Sequence, residues 1–329
     1  MKQLFLITLL IMAAMLCACH STDALSEDSD DDYATDDSSN TDTESGTGNE
    51  FLRDSETEST THPETDSETE TPVITPRSGQ SRALVAIIDN AQSMEGSTLE
   101  SLYNQYPDEI GTALADLYGV PLADIQSRTL TEVSEDYGEN WIIENVMEQS
   151  HAYDITVFLT DTNATSGNFL DAIKNVNDEG FLVDILIDLH GSPSGDILFY
   201  DGSYPVDEIT GTIQAKKMAV STVYQTTCYG SDMMDAWTAI GVHAVNGGVG
   251  DNMYVNFAPG AFFKNWINGM SFEDAVQQAR LDDMTEMQTR LNAAAEEWNN
   301  AELLLLLSIY NFNTQSLQIV DGAYPQIAW

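Results

Sequence analysis

Two stretches decide the fold: FLVDILIDLHG, Phe181 to Gly191, and MAVSTVYQTTCYGS, Met218 to Ser231. The first is apolar and rich in β-branched residues from Leu182 to Leu189, then stops at His190-Gly191. The second has the same character and stops at Cys228, with Gly230 just behind it. Near-continuous apolar runs closed by turn residues suit parallel strands that are covered on both faces. About 38 residues separate the histidine from the cysteine. That is enough for a crossover between two parallel neighbours. Functional groups in an open parallel sheet sit outside the carboxyl ends of the strands. Adjacent strands lie roughly 5 Å apart, so an imidazole and a thiol at neighbouring tips can serve one substrate.

Outward from this pair, strands and helices alternate. Ala83–Asp89 reads as a first buried strand and Tyr153–Thr160 as a second. Thr98–Tyr118 has a helical pattern broken around Pro107 and stopped at Gly119-Val120-Pro121. Ile125–Val133 reads as an added strand, and Glu139–Gln149 and Gly167–Asn177 as helices. Asp201-Gly202 lies between two apolar pairs, a hairpin signal, and Glu208–Lys217 is a short helix. Helices are expected over Ser231–Ile240, Phe262–Asn268 and Ser271–Trp298. The last is read as a solvated outer helix whose Met284 and Met287 turn to the core. Val242–Val245 begins a strand that runs into NGGVGDN, Asn246 to Asn252, expected as a loop over the cleft. Of the late apolar segments, Leu303–Tyr310 and Leu317–Val320, one is the edge strand. The alternation means an α/β domain with a mainly parallel sheet.

The ends of the chain and its charge bound the function. The 329 residues carry a formal net charge of −43. Residues 20–80 are dominated by Ser, Thr, Asp and Glu, with about 18 acids against 2 bases. From Ser81 onward about 36 acids face 8 bases, so the folded part is acidic too. This argues against a nucleic-acid partner, which needs a basic face. Residues 1–19, MKQLFLITLLIMAAMLCAC, have the layout of a signal peptide: one lysine, an apolar run of about 14 residues, then small residues. Leu16-Cys17-Ala18-Cys19 resembles a bacterial lipobox, which implies diacylglycerol on Cys19 and cleavage before it. The expected organisation is a signal at 1–19, a disordered acidic tether at 20–80 that lifts the domain off a membrane, and a folded domain at 81–329. The protein is then an exported, membrane-anchored lipoprotein of the bacterial envelope or surface.

Three cysteines are present, and Cys17 and Cys19 fall in the leader. Cys228 is left as a single thiol, either reactive or simply buried. With no cysteine cluster and no histidine pair at ligand spacing, no metal site is expected. His151 and His243 read as structural. NGGVGDN lacks the Lys-Ser/Thr ending of a phosphate-binding loop. No cofactor is expected.

The strand ending in IDLHG (Ile187–Gly191), the small hairpin, the short helix and the strand ending in YQTTCYGS (Tyr224–Ser231) together resemble the clan CD cysteine peptidases. These are the caspase, legumain, gingipain and clostripain group. VFLTDTNATSGNFLDAI, Val157 to Ile173, is similar to that group's second strand, loop and helix. The likeness runs from about Ala83 to Gly250. It implies a three-layer caspase-hemoglobinase fold, with a mainly parallel six-stranded sheet and helices on both faces. It also implies that Cys228 is the nucleophile, that His190 is the general acid or base, and that the N–H groups of Gly191 and Cys228 form the oxyanion hole. Asn90 stands where legumain-like members carry a helper asparagine. The Tyr-Gly-Ser exit after the cysteine departs from many members, and no residue fixes the P1 side chain. The expected activity is endopeptidase action on a peptide or protein. A silent module that binds a peptide or partner at the same cleft, and an acyl transferase using the same dyad, are the alternatives.

Overall fold

The structure is a computed structural model and describes residues 81–89, 98–252, 257–309 and 318–322. The leader with Cys19, the acidic tether and Asn90 lie outside the described residues.

The central sheet is built from β1 (Arg82–Asp89), β2 (Ile155–Thr160), β3 (Leu182–Gly191), β6 (Val220–Gln225), β7 (Ala244–Gly248) and β8 (Gln318–Asp321). Their spatial order is β2-β1-β3-β6-β7-β8. The first five are parallel; β8 closes the edge antiparallel to β7. A hairpin of β4 (Asp196–Phe199) and β5 (Gly202–Pro205) extends from the end of β3, turning at Tyr200-Asp201. β1 and β6 are buried almost throughout, as continuous apolar runs require when both faces are covered. The edge strand β2 is only half-buried.

One face of the sheet carries α6 (Ser166–Asp178), α7 (Val206–Ala215) and α8 (Met234–Ala239). Phe169, Ile173, Ile209, Ile213 and Trp237 from these helices meet Val85, Ile87, Ile185 and Ile187. The other face carries α5 (Glu139–Gln149), α9 (Ala258–Ile267) and α10 (Phe272–Glu297). There Phe262, Phe263, Trp266 and Phe272 form an aromatic cluster under Leu84, Leu186 and Tyr224. Tyr224 and Phe262 stack at 4.0 Å. The result is a three-layer α/β architecture with a mostly parallel sheet.

Two expectations are corrected here. Ile125–Val133 is not a strand. It forms α3 (Leu122–Gln126) and α4 (Leu130–Val133), and these follow α1 (Thr98–Gln105) and α2 (Pro107–Tyr118). A reciprocal cap overrides the β-branched composition: Thr129 Oγ1 accepts the Glu132 N–H at 3.2 Å, and the Glu132 carboxylate accepts the Thr129 N–H at 2.7 Å. Ile125, Leu130 and Val133 then point into a second, all-helical core. The other correction is α10, which is not a solvated outer helix. Phe272, Ala275, Val276 and Ala279 pack under the sheet. Its distal half, with Met287, Leu291 and Ala295, joins α1 to α4 and α11 (Ala301–Ile309) in the helical core. Its acids other than the buried Asp283 lie off that stripe, which hid it. Of the two late apolar segments, the first is this helix α11 and the second contains the edge strand.

At the amino-terminal end of the sheet, the Arg82 guanidinium pairs with Asp184; both are buried. Thr222 Oγ1 adds a hydrogen bond to Asp184 at 2.7 Å. His243 lies near this end, its N–H donating to Ser221 O at 2.8 Å. Burial, and the nearby Arg82 charge, lower its pKa below the ordinary histidine value. His151 is exposed on a short turn after α5, its Nδ1 3.1 Å from Glu148 O. Both therefore stand away from the carboxyl ends of the strands.

Candidate active site

β3 and β6 are neighbours, and their last parallel partners are Ile187 and Gln225. Three residues further along each chain stand His190 and Cys228. The expected strand to Cys228 ends earlier, at Gln225. Thr226 still bonds to Ile187 O at 2.9 Å, but the chain then leaves the sheet. Tyr229 takes the left-handed conformation, φ 55°, and a 3-10 turn at Gly230–Met233 follows. A non-glycine residue in that region is costly and is held by its surroundings. Here the Tyr229 N–H donates to Gly250 O at 2.7 Å. Gly230 and Gly247 also touch: a Cβ on Gly247 would fall 2.3 Å from Gly230 C. Thus only part of NGGVGDN is a loop. Asn246, Gly247 and Gly248 belong to β7 and are buried, because glycine there lets the strand press on the cysteine turn.

Gly191 meets the cysteine turn from the other side. A Cβ on Gly191 would sit 2.1 Å from the carbonyl oxygen of Cys228. The need for glycine is therefore close backbone approach. The hairpin braces this end of β3, pairing His190 with Leu198 and Gly191 with Ile197. Its turn is pinned by Asp201, whose carboxylate accepts the Ser166 N–H at 2.9 Å and the Ser166 hydroxyl at 3.0 Å. Burial opposes that charge, yet hydrogen bonds from Ser166, Tyr204 and its own backbone together outweigh it and hold the Asp201 pKa below its ordinary value.

Cys228 is 4% exposed. Its Sγ accepts the Asn252 N–H at 3.3 Å and lies 3.7 Å from Asn252 O, to which the thiol can donate. Asn252 is itself buried and donates through Nδ2 to Thr226 O at 2.9 Å. Behind it runs a ladder of amides. Gln318 Nε2 donates to Asn252 Oδ1 at 3.4 Å, and Asn246 Nδ2 donates to Gln318 Oε1 at 3.0 Å. Gln225 Nε2 donates to Asn246 O at 2.8 Å and to Gly230 O at 3.0 Å. Three strands, β6, β7 and β8, thus converge on the segment that faces the sulfur.

By strand alternation His190 shares a face with Asp188 and Leu186. Asp188 is fully buried and accepts the Thr226 hydroxyl at 2.6 Å. More acids gather at this end of the sheet. Burial, then the charges of Asp161, Asp89, Asp188 and Glu135, push the Glu139 pKa from 4.5 up to about 8. Burial, then Asp161 and Glu135, raise that of Asp89. Carboxyl groups thus crowd this end of the sheet, and their mutual repulsion helps keep Glu139 neutral up to about pH 8.

The geometry brings His190, Gly191 and Cys228 to one end of the sheet. Asn252, Gln318, Asp188 and Glu139 were not anticipated by sequence reasoning. The signal for Asp188 was a charge inside a buried run, two residues before the histidine. Asn252 sat in a glycine-rich run that looked like plain loop. Among the described residues, no group of three or more His, Cys, Asp and Glu side chains could hold a metal ion. Nor, among them, is any helix long and apolar enough to cross a membrane. No protein-family model matches the chain, and no curated protein matches it.

Proposed function

We propose that the chain is a caspase-like cysteine endopeptidase that hydrolyses peptide bonds through Cys228 and His190, carried at the cell envelope by a lipid on Cys19. The observation that carries the reading is the contact of Gly191 with the Cys228 backbone at the tips of adjacent parallel strands. In this reading the sulfur attacks the scissile carbonyl and the imidazole protonates the leaving amine. The N–H groups of Gly191 and Cys228 take the negative charge on the carbonyl oxygen. Water then releases the acyl group and restores the thiol.

A second reading, a silent module that binds a peptide at the same cleft, is favoured by one observation: the low exposure of Cys228. Hydrolysis of a fluorogenic peptide library with varied P1 residues separates the two. The peptidase reading expects turnover of some members of the library, falling by at least about 10³-fold in both Cys228→Ala and His190→Ala. Binding without turnover, or turnover that survives Cys228→Ala, contradicts it.

A further inference from the structure

We infer that Asn252 is a positioning residue for the Cys228 nucleophile, holding its backbone N–H on the sulfur so that the thiolate is favoured, with Gln318 of the edge strand as its support. The inference rests on Cys228 being the reactive group of the preceding section. A backbone N–H that donates to a sulfur favours the charged form and lowers its pKa. The N–H contact, at 3.3 Å, is shorter than the 3.7 Å approach of the same residue's carbonyl. A charge-assisted hydrogen bond is also the stronger kind. On deprotonation the thiol therefore loses the weaker, longer contact and strengthens the nearer one.

The position of that N–H depends on the Asn252 side chain. Its Nδ2 is tied to Thr226 O, two residues before the nucleophile, and its Oδ1 receives Gln318 Nε2. Asn252 and Gln318 are 1% and 7% exposed, so the amides have little water to exchange with. Glycines cannot supply such an anchor, and the residues just before Asn252 in the run are Gly248, Val249, Gly250 and Asp251. The asparagine thus converts the end of a glycine-rich segment into a fixed donor. The ladder links the nucleophile to β8, the last described strand, some 90 residues further along the chain.

The test is the rate of iodoacetamide alkylation of Cys228 against pH, read by peptide mass spectrometry on the full chain. Asn252→Ala removes both side-chain bonds. Gln318→Glu keeps the acceptor used by Asn246 and removes the donor to Asn252. The expected result is an upward shift of the alkylation midpoint by about one pH unit for Asn252→Ala, with a smaller shift in the same direction for Gln318→Glu. At pH values below both midpoints this means roughly tenfold slower labelling of Asn252→Ala. A loop that only covers the sulfur would, once loosened, raise the labelling rate at every pH. If the variants label faster at every pH with the midpoint unchanged, the segment only covers the sulfur and the inference fails. It also fails if their profiles match the parent's. A shift in Asn252→Ala without any peptide turnover by the parent would sink the peptidase reading and leave this one standing. Turnover without the shift would do the reverse.

Discussion

Gly191 is the residue on which the site's geometry turns. Its Cα rests against the Cys228 carbonyl, with 2.1 Å available where a methyl would have to go. The obstacle is backbone, which cannot swing aside as a flexible side chain would. Gly191→Ala should therefore separate β3 from the cysteine turn. The expected cost is about 1–3 kcal/mol in urea denaturation, with peptide turnover lost in protein that still folds. Wild-type stability and turnover in this variant would mean that the contact does not define the site. The need for glycine was legible as His-Gly at the end of an apolar run. Its cause was not, because nothing local to Gly191 announces a carbonyl 37 residues away in the sequence.

At the scale of elements, the sheet was largely readable and the helical core was not. β1, β3 and β6 are buried on both faces, so hydrophobicity alone marks them. The hairpin was marked by Asp201-Gly202, and the break between α1 and α2 by Pro107. By contrast, Ile125, Leu130 and Val133 look like strand residues. Only the Thr129–Glu132 cap and the distal half of α10 make them helical. The end of β6 was placed three residues late, because a left-handed Tyr229 has no sequence signal of the kind glycine gives. β3 is tied to β1 by the buried Arg82–Asp184 pair. Removing one partner leaves an uncompensated buried charge. Asp184→Ala should cost about 3–5 kcal/mol in urea denaturation, far more than an exposed ion pair such as Lys174–Asp178 would. A loss under 1 kcal/mol would show that Arg82 finds water instead.

For the whole molecule, a net charge of −43 sets the electrostatic problem, and Glu139 shows one local response to it. Glu139 holds a proton up to about pH 8, whereas its ordinary value is 4.5. Between those values the folded state binds a proton that the unfolded chain has released. That contribution to stability is complete at low pH and is lost as pH rises toward 8. Asp89 acts in the same direction. The melting temperature of Glu139→Gln should accordingly exceed that of the parent at pH 8 and approach it near pH 5. A gap independent of pH would remove Glu139 from this role. Whether Cys228 and His190 act as a reactive pair is read directly from the pH dependence of Cys228 alkylation in the parent and in His190→Ala. The parent is expected to label well below the ordinary cysteine pKa of about 8.5, and His190→Ala to move the midpoint up toward it. Superimposable profiles, or a parent thiol that labels only above pH 8, would contradict it.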